Sequence, residues 1–281
     1  MYILFDIGAT KTRIAATVDR QTFTEPTIIK TPASFDEFKN TFTQTAREHI
    51  GSESIDGAVG GMTGALDKER GVMIDSPHLP EWNGRLICDE LGSELGAHIT
   101  IENDSAVVGL GEAVYGAGKG YRIASYVTVS TGVGGARFIN GKIDENAHGF
   151  EPGRQIVDIS GSLDGGNSDG TLEGLVSGTA LEKRFGMPAI EVSDPKVWDD
   201  LAQQLAVGLY NLSLIWSPEV IVLGGSMITG DPAIDVTATE KAFRERIEQV
   251  FATAPDIRKA ELGDINGVWG ALAYLNNLDL P

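Results

Sequence analysis

Hydrophobic positions in the first half of the chain form short strand-like runs separated by longer helical patterns. Tyr2–Ile7 is an apolar run, and residues 13–18 regain strand character after a polar turn. Apolar side chains then recur at helical spacing between residues 35 and 50, which predicts a helix. Further strands are predicted at 55–59 and 98–102, and further helices at 86–95 and 105–114.

The second half repeats the opening strand–turn–strand unit about 125 residues further along the chain. An apolar, β-branched run at 125–129 leads into the turn 130–135, and a second strand follows at 136–139. This weak internal repeat indicates two domains of similar plan.

Strands and helices alternate through the rest of the chain. A long helix is predicted at 195–216, with Asp194 as its N-cap before a proline. The remaining predicted elements are strands at 220–223 and 257–262 and helices at 238–251 and 267–275. Such alternation is typical of an α/β fold.

The glycine-rich segment 116–120 marks the predicted boundary between the domains. A length of 281 residues is enough for about two domains. We therefore expect an N-terminal α/β domain at 1–116 and a C-terminal α/β domain at 117–266. The last helix, at about 267–281, is expected to pack back onto the N-terminal domain.

Composition excludes several classes of partner. Forty acidic residues against 22 basic ones give a formal net charge of −18, which disfavours binding to nucleic acid or to an anionic membrane surface. The apolar run at 205–216 is too short to span a bilayer, and no secretion signal is expected at the start of the chain. The single cysteine, Cys88, excludes an internal disulfide, so we expect a cytoplasmic protein.

The first polar turn, Gly8-Ala9-Thr10-Lys11-Thr12, follows a strand that ends in Asp6-Ile7. A glycine in a tight turn exposes backbone N–H groups to a phosphate, and Thr10 and Lys11 add donors. A carboxylate at the strand end can hold Mg²⁺ through water. A β-hairpin with a polar tip is the alternative interpretation.

The second turn carries Thr131, Gly132 and Gly134 in the same context. Two such turns could hold one triphosphate, whereas each alone also fits a glycine-loosened hairpin. After the strand at 220–223, Gly224 and Gly225 permit close approach to a flat ligand such as adenine, although a plain strand end has the same pattern.

Candidate sugar ligands are amide and carboxylate side chains. Asn103 and Asp104 lie where a predicted strand leads into a helix, a position at which α/β folds bind ligands. Asp104 could accept a hydroxyl proton and Asn103 could bind hydroxyls, but both residue types are also preferred helix N-caps. Glu151 and Glu173 are candidates for binding vicinal hydroxyls, or else solvated surface carboxylates.

Several motifs occur in one order from Tyr2 to about Ala273: DIGATKT, SPHLPEW, ENDSAVVGLGEA, STGVGGA, GFEPG, GTLEG and IVLGGS. In that order they resemble the ROK family of sugar kinases and related repressors, within the actin–hexokinase ATPase superfamily. The resemblance implies two actin-like (ribonuclease H-like) α/β domains, with ATP in the cleft between them.

The resemblance also implies a role for each matching residue. Asp104 would be the catalytic base for the 6-hydroxyl of the sugar, Asn103 would hold sugar hydroxyls, and Asp6 would lie near Mg²⁺. The further sugar contacts it implies are Gly64, Glu151, Glu173 and the position of Arg154. The further ATP contacts it implies are Gly8, Thr10, Lys11, Thr131, Gly132, Gly134, Gly224 and Gly225.

The sequence departs from the family pattern at its zinc site. Arg154 stands where the family has a histidine that binds sugar and zinc, and the segment 164–171 has no cysteine in place of CxCGxxGC. No zinc site is therefore expected, and Arg154 could pair with a carboxylate and take over part of the orienting role. The replacement loop offers hard oxygen groups that suit Mg²⁺ or Ca²⁺ better, namely Asp164, Asn167, Ser168 and Asp169.

The leading hypothesis is ATP- and Mg²⁺-dependent phosphorylation of a hexose or N-acetylhexosamine. A non-catalytic sugar sensor or regulatory protein of the same fold is the alternative. The lost zinc motif favours the sensor, whereas Asp104 and both phosphate turns oppose it. The expected partner is a small-molecule sugar, and a homodimer is a candidate assembly because family members are often dimers.

Overall fold

The computed structural model describes residues 1–67, 71–76, 78–163, 165–166 and 168–278. These residues form two compact units. Unit 1 comprises Met1–Gly111 and the C-terminal segment from Leu262, and unit 2 comprises Glu112–Glu261.

The strands of the described residues are β1 (Tyr2–Ile7), β2 (Lys11–Thr17), β3 (Thr27–Lys30), β4 (Gly57–Met62), β5 (Ala65–Asp67), β6 (Val72–Asp75), β7 (Ile99–Asn103), β8 (Ile123–Val129), β9 (Val133–Ile139), β10 (Lys142–Ile143), β11 (Val220–Gly224) and β12 (Asp256–Lys259). The α-helices are α1 (Phe35–Ile50), α2 (Ile87–Leu95), α3 (Asp104–Val114), α4 (Leu172–Val176), α5 (Gly178–Phe185), α6 (Pro195–Trp216), α7 (Ser226–Thr229), α8 (Val236–Ile247) and α9 (Asn266–Asn277).

Unit 1 is built on a five-stranded sheet, among the residues described, in the order β3-β2-β1-β4-β7. β1 runs antiparallel to β2 and parallel to β4, and β4 runs parallel to β7. The central strand β1 is buried along its whole length because helices cover the sheet. Phe38 and Phe42 of α1 are fully buried in the core beside Phe5 of β1.

Unit 2 repeats this topology. Its described five-stranded sheet has the order β10-β9-β8-β11-β12, in which β8 runs antiparallel to β9 and parallel to β11. The internal repeat predicted from the two strand–turn–strand units is therefore present in the sheets, and the predicted α/β fold is confirmed. The long helix α6 has the predicted bounds, and the Asp194 carboxylate caps it by accepting the N–H of Lys196 at 2.9 Å.

Some elements were not predicted because they are short or lack a periodic pattern. The sequence analysis missed β3, the β5–β6 hairpin, β10, α4, α5 and α7. It also ended the strand of β4 at Val59, whereas β4 continues to Met62. A Cβ on Gly60 would overlap the Phe5 carbonyl and ring, so this glycine permits close packing of β4 on β1 and is not a turn residue.

The division between the units falls within α3, between Gly111 and Glu112, and not in the predicted segment 116–120. Glu112 is fully buried, and its carboxylate accepts the N–H of Ala117 at 3.1 Å and the N–H of Glu261 at 3.1 Å. These bonds join the end of α3 to unit 2, which explains why the division between the units precedes the glycine-rich segment 116–120. At the C-terminus, α9 packs on β1 and β4 of unit 1.

Two helices of unit 1 meet at glycines. A Cβ on Gly270 of α9 would overlap the carbonyl of Val107 in α3, and a Cβ on Gly111 would lie 2.8 Å from the backbone nitrogen of Gly270. A glycine inside a helix costs about 1 kcal/mol relative to alanine. The space needed by the neighbouring backbone therefore outweighs helix propensity at these positions.

We expect Gly270→Ala to lower the Tm by about 4 °C or more, because the helices must separate to admit the methyl group. Thermal unfolding followed by circular dichroism measures the change. Gln44→Ala at an exposed position of α1 is the control and should leave the Tm nearly unchanged. An unaltered Tm in Gly270→Ala would contradict the close contact between α3 and α9.

Candidate active site

A buried carboxyl group ends the central strand of unit 1. Asp6 is 7% exposed, and its Oδ2 lies 3.0 Å from Nη1 of Arg13, its cross-strand neighbour on β2. Burial raises the pKa of Asp6 to about 6, although the Arg13 charge opposes this rise, and the nearby Asp104 charge adds to it. Asp6 and Asp104 therefore lie close enough to interact electrostatically.

The start of α9 closes over this carboxyl group. A Cβ on Gly267 would overlap the carboxyl carbon of Asp6. Only a glycine at this position lets the helix approach the carboxyl so closely. The position of Asp6 is therefore set both by Arg13 on its own sheet and by α9 above it.

Asn103 and Asp104 differ in their local roles. Oδ1 of Asn103 accepts the Ser105 hydroxyl at 2.6 Å and the N–H of Ala106 at 3.2 Å, which is the geometry of a helix cap on α3. Asp104 accepts the N–H of Ser105 at 2.7 Å and a hydrogen bond from the Thr63 side chain. Burial raises the pKa of Asp104. Because Asn103 caps the helix, the cap does not depend on Asp104.

The first polar turn, residues 8–12, is predicted to bind phosphate and is called here the first phosphate-type turn. Thr31, the residue after β3, holds it in place. The N–H of Gly8 donates to the Lys11 carbonyl at 3.0 Å, and the Thr31 hydroxyl donates to the Gly8 carbonyl at 2.8 Å. The N–H of Thr31 donates to the Thr10 carbonyl at 3.0 Å. The side chains of Thr10 and Lys11 are exposed, so they are accessible to a ligand.

The second phosphate-type turn, predicted at residues 130–135, joins β8 to β9 in unit 2. Oε2 of Glu173 accepts the N–H of Val133, the residue after Gly132, at 2.8 Å. The Ser130 hydroxyl lies 2.9 Å from that of Ser226, at the start of α7. The turn therefore contacts Ser226, the residue that follows Gly224 and Gly225 in the chain.

Packing within unit 2 explains these two glycines. A Cβ on Gly224 would overlap the hydroxyl of the buried Tyr126, and a Cβ on Gly225 would overlap the carbonyl of Val129. Gly225 also has a φ of 87°, which disfavours other residues. The chain itself therefore requires both glycines, and their expected contact with adenosine stays a prediction.

Three of the residues expected to bind sugar come together in unit 2. Nη1 of Arg154 lies 3.3 Å from Oε1 of Glu173. Burial raises the pKa of Glu151, the Arg154 charge lowers it, and the Glu173 charge raises it. The predicted pairing of Arg154 with a carboxylate is therefore present, and Glu173 is its partner.

The glycine expected on the sugar side, Gly64, lies in unit 1. Gly64 has a φ of 103° and follows Thr63, which binds Asp104. A Cβ on Gly64 would lie 2.7 Å from the sulfur of Met73 in β6. In unit 1, Gly64 is therefore adjacent in sequence to a residue that binds Asp104, while Glu151, Arg154 and Glu173 cluster in unit 2.

Sequence reasoning missed several residues that position these groups. They include Arg13, Thr31, Thr63 and Gly267. A signal existed for Arg13, because a hairpin with a short turn between β1 and β2 pairs it with Asp6. The other contacts join separate elements and leave no local pattern.

Comparison with known proteins gives the family. The model of the ROK family matches residues 2–277. The chain belongs to the ROK family. The family that the motifs predict is therefore confirmed over nearly the whole chain.

Three ROK-like proteins illustrate the similarity. A glucokinase of Thermotoga maritima is 26% identical in an alignment of 248 positions that covers 76% of this chain and 77% of the glucokinase. An N-acetyl-D-glucosamine kinase of Histophilus somni is 26% identical in an alignment of 309 positions that covers 99% of this chain and 100% of that kinase. The crystal structure of a ROK hexokinase from Thermus thermophilus matches with a TM-score of 0.83 at 27% identity, and the match covers 98% of each chain.

In this ROK protein, carboxylates bind the chain just before the segment 164–171, which replaces the cysteine motif, and at the end of that segment. The buried Asp158 accepts the Ser160 hydroxyl at 2.9 Å and the N–H of Leu163 at 2.8 Å. Asp169 accepts the Thr171 hydroxyl at 2.6 Å. These hydrogen bonds lower the pKa of both carboxyl groups. The described residues on both sides of the replacement loop are therefore held by hydrogen bonds within the chain.

Two of the candidate oxygen ligands, Asp164 and Asn167, lie outside the described residues. Among the residues that are described, no group of three or more His, Cys, Asp or Glu side chains is arranged to hold a metal ion. Within the same residues, no helix has the length and apolar character needed to cross a membrane.

We expect the protein to keep its Tm after treatment with a zinc-selective chelator, whereas Asp158→Ala should lower the Tm by roughly 4 °C. The substitution leaves the N–H of Leu163 without its acceptor. Thermal unfolding together with elemental analysis checks both expectations, and Asp199→Ala at an exposed position of α6 is the control. Stoichiometric zinc in the purified protein, with unfolding upon chelation, would contradict the prediction.

Proposed function

We propose that this protein transfers the terminal phosphoryl group of ATP to a hexose or N-acetylhexosamine, at the 6-hydroxyl. The observation that carries the proposal is the proximity of two carboxyl groups in unit 1, Asp6 at the end of β1 and Asp104 at the start of α3, beside the turn 8–11. Phosphoryl transfer requires positioning, Mg²⁺ and charge neutralisation more than covalent chemistry by the protein. Membership of the ROK family and the kinase names of its relatives support the enzyme class, an ATP-dependent sugar kinase.

Asp104 is the proposed general base. Its hydrogen bonds from Ser105 and Thr63 orient the carboxyl group, and burial raises its pKa, which makes the ionised form a stronger base. Asn103 precedes Asp104 in the chain. Because Oδ1 of Asn103 already accepts two hydrogen bonds, the amide N–H groups of Asn103 are the proposed donors to a sugar hydroxyl. Gly64 contributes backbone on the same side of unit 1.

Asp6 is the proposed carboxylate for Mg²⁺. This ion usually binds through one or two carboxylates and the phosphates of the substrate, and it keeps several waters, so a single buried carboxyl fits it. Bound with ATP, the ion would neutralise charge on the transferred phosphate. The protein's own part is to hold the Asp6 carboxyl between Arg13 and the start of α9.

Each unit contributes groups suited to ATP. In unit 1 these are the backbone at Gly8 and the exposed side chains of Thr10 and Lys11. In unit 2 they are the turn with Thr131, Gly132 and Gly134, together with Gly224 and Gly225. The carboxylates Glu151 and Glu173 and the guanidinium of Arg154 are the unit 2 groups proposed to face sugar.

A screen for ADP release tests the function directly. With ATP and Mg²⁺, we expect ADP to form only when an accepted sugar is added, and glucose, mannose, fructose, N-acetylglucosamine and N-acetylmannosamine form the panel. The reaction without sugar is the control. Sugar binding without ADP release from any member of the panel would favour the non-catalytic sensor.

We expect Asp104→Asn to reduce kcat by at least about 100-fold, the low end of a general-base contribution. The amide keeps the shape of the side chain but lacks its basicity. Asp89→Asn, at an exposed position of α2, is the matched control and should leave kcat unchanged. Turnover near the wild-type rate in a folded Asp104→Asn protein would rule out the proposed base.

The same variant has a predicted effect on stability. Because burial raises the pKa of Asp104, the ionised carboxyl costs folding free energy at pH 8, and the amide removes that cost. The Tm of Asp104→Asn at pH 8 should therefore equal or exceed that of the wild type, and the difference should shrink as the pH falls. Lost activity would then reflect lost chemistry and not unfolding.

A further inference from the structure

One short segment of unit 2 holds the second phosphate-type turn from a single side. The N–H of Gly178 donates to the Ser130 carbonyl at 2.7 Å, and the N–H of Thr179 donates to the Thr131 carbonyl at 3.3 Å. Glu173 of the preceding helix α4 accepts the N–H of Val133 at 2.8 Å. The segment 173–179 therefore contacts three residues at the turn, Ser130, Thr131 and Val133.

These contacts orient the backbone of the turn. Its peptide bonds are trans, so each N–H points to the opposite side from the carbonyl of the same peptide group. Since the carbonyls of Ser130 and Thr131 face α5, the N–H groups of Thr131 and Gly132 point away from it. Successive N–H groups directed to one side are the arrangement that binds a phosphate.

Glu173 makes the most specific of these contacts. One carboxylate oxygen, Oε2, binds the N–H of Val133 and would lie 2.6 Å from a Cβ on Gly132. The other oxygen, Oε1, lies 3.3 Å from Nη1 of Arg154. One carboxylate thus links Arg154 to the turn.

The backbone around Glu173 is held by hydrogen bonds that do not involve Arg154. The Thr171 hydroxyl caps α4 by accepting the N–H of Gly174 at 3.0 Å, and Asp169 accepts the same hydroxyl's proton at 2.6 Å. The Glu173 side chain, by contrast, faces the like charge of Glu151, with the Arg154 charge beside both. Removing Arg154 would leave the two carboxylates to repel each other, which would displace the Glu173 side chain from the turn.

We propose that Arg154 is a positioning residue for the nucleotide: it orients Glu173, and Glu173 holds the second phosphate-type turn in the conformation that binds ATP. The proposal rests on the proposed kinase function. The family pattern implies sugar contacts for both positions. If Arg154 positions the turn, its substitution should weaken nucleotide binding. If Arg154 contacts sugar, its substitution should weaken sugar binding.

The test measures binding of Mg·ADP in the absence of sugar, by calorimetry, together with KM values for ATP and for the best sugar. We expect Arg154→Gln to raise the Kd for Mg·ADP and the KM for ATP about threefold, because an exposed ion pair is weak. Glu173→Ala should raise the same Kd about tenfold, since a charge-assisted hydrogen bond is lost. The KM for sugar should change by a smaller factor than the KM for ATP in Arg154→Gln.

Two controls separate positioning from loss of charge. Arg154→Lys keeps a cation that can pair with Glu173, so it should restore Mg·ADP binding to near the wild-type value. Lys196→Gln removes an equally exposed cation from an ion pair with Asp200 elsewhere in unit 2 and should have no effect. If Glu173→Ala does not fold, the Arg154 series decides the question alone.

The outcomes distinguish this proposal from the function on which it rests. A raised KM for sugar in Arg154→Gln, with an unchanged Kd for Mg·ADP, would overturn the positioning role and return Arg154 to the sugar. A wild-type protein that binds Mg·ADP but phosphorylates no sugar would contradict the kinase function alone. A wild-type protein that does not bind Mg·ADP would overturn both.

Discussion

Burial of the Asp6 carboxyl at the end of β1 is the constraint on which the candidate site depends. A carboxyl whose pKa is raised to about 6 by burial costs folding free energy when it is ionised at neutral pH. Arg13 on the neighbouring strand offsets part of that cost. The start of α9 approaches the carboxyl so closely that residue 267 has to be glycine. The C-terminal helix is therefore part of the site as well as of the fold of unit 1.

The two units repeat one sheet topology but hold their phosphate-type turns differently. In unit 1 the hydroxyl and N–H of Thr31 bind the carbonyls of the turn. In unit 2 the first N–H groups of α5 bind them, and these groups need acceptors because a helix start leaves them unpaired. The same turn is thus stabilised by a side chain in one unit and by a helix terminus in the other.

Charge in unit 2 is balanced within the protein at the positions where this ROK member lacks the cysteine motif. Asp158 binds the chain before the replacement loop and Asp169 binds the end of that loop, and Arg154 stands beside Glu151 and Glu173. A guanidinium keeps its charge at any physiological pH, unlike a histidine at the same position. Arg154 can therefore pair with Glu173 regardless of pH in that range.

The sequence by itself determined the α/β class, most strands, the full extent of α6 with its Asp194 cap, and both polar turns, because apolar periodicity and capping are local properties. The order of its motifs was also enough to indicate the ROK family. Only the tertiary structure decided that Gly60 and Gly224 serve packing, that Glu112 joins the end of α3 to unit 2, and that Glu173 reaches a turn about 40 residues earlier in the chain. These contacts join residues that are distant in the sequence, and such pairs leave no periodic signal from which they could be predicted.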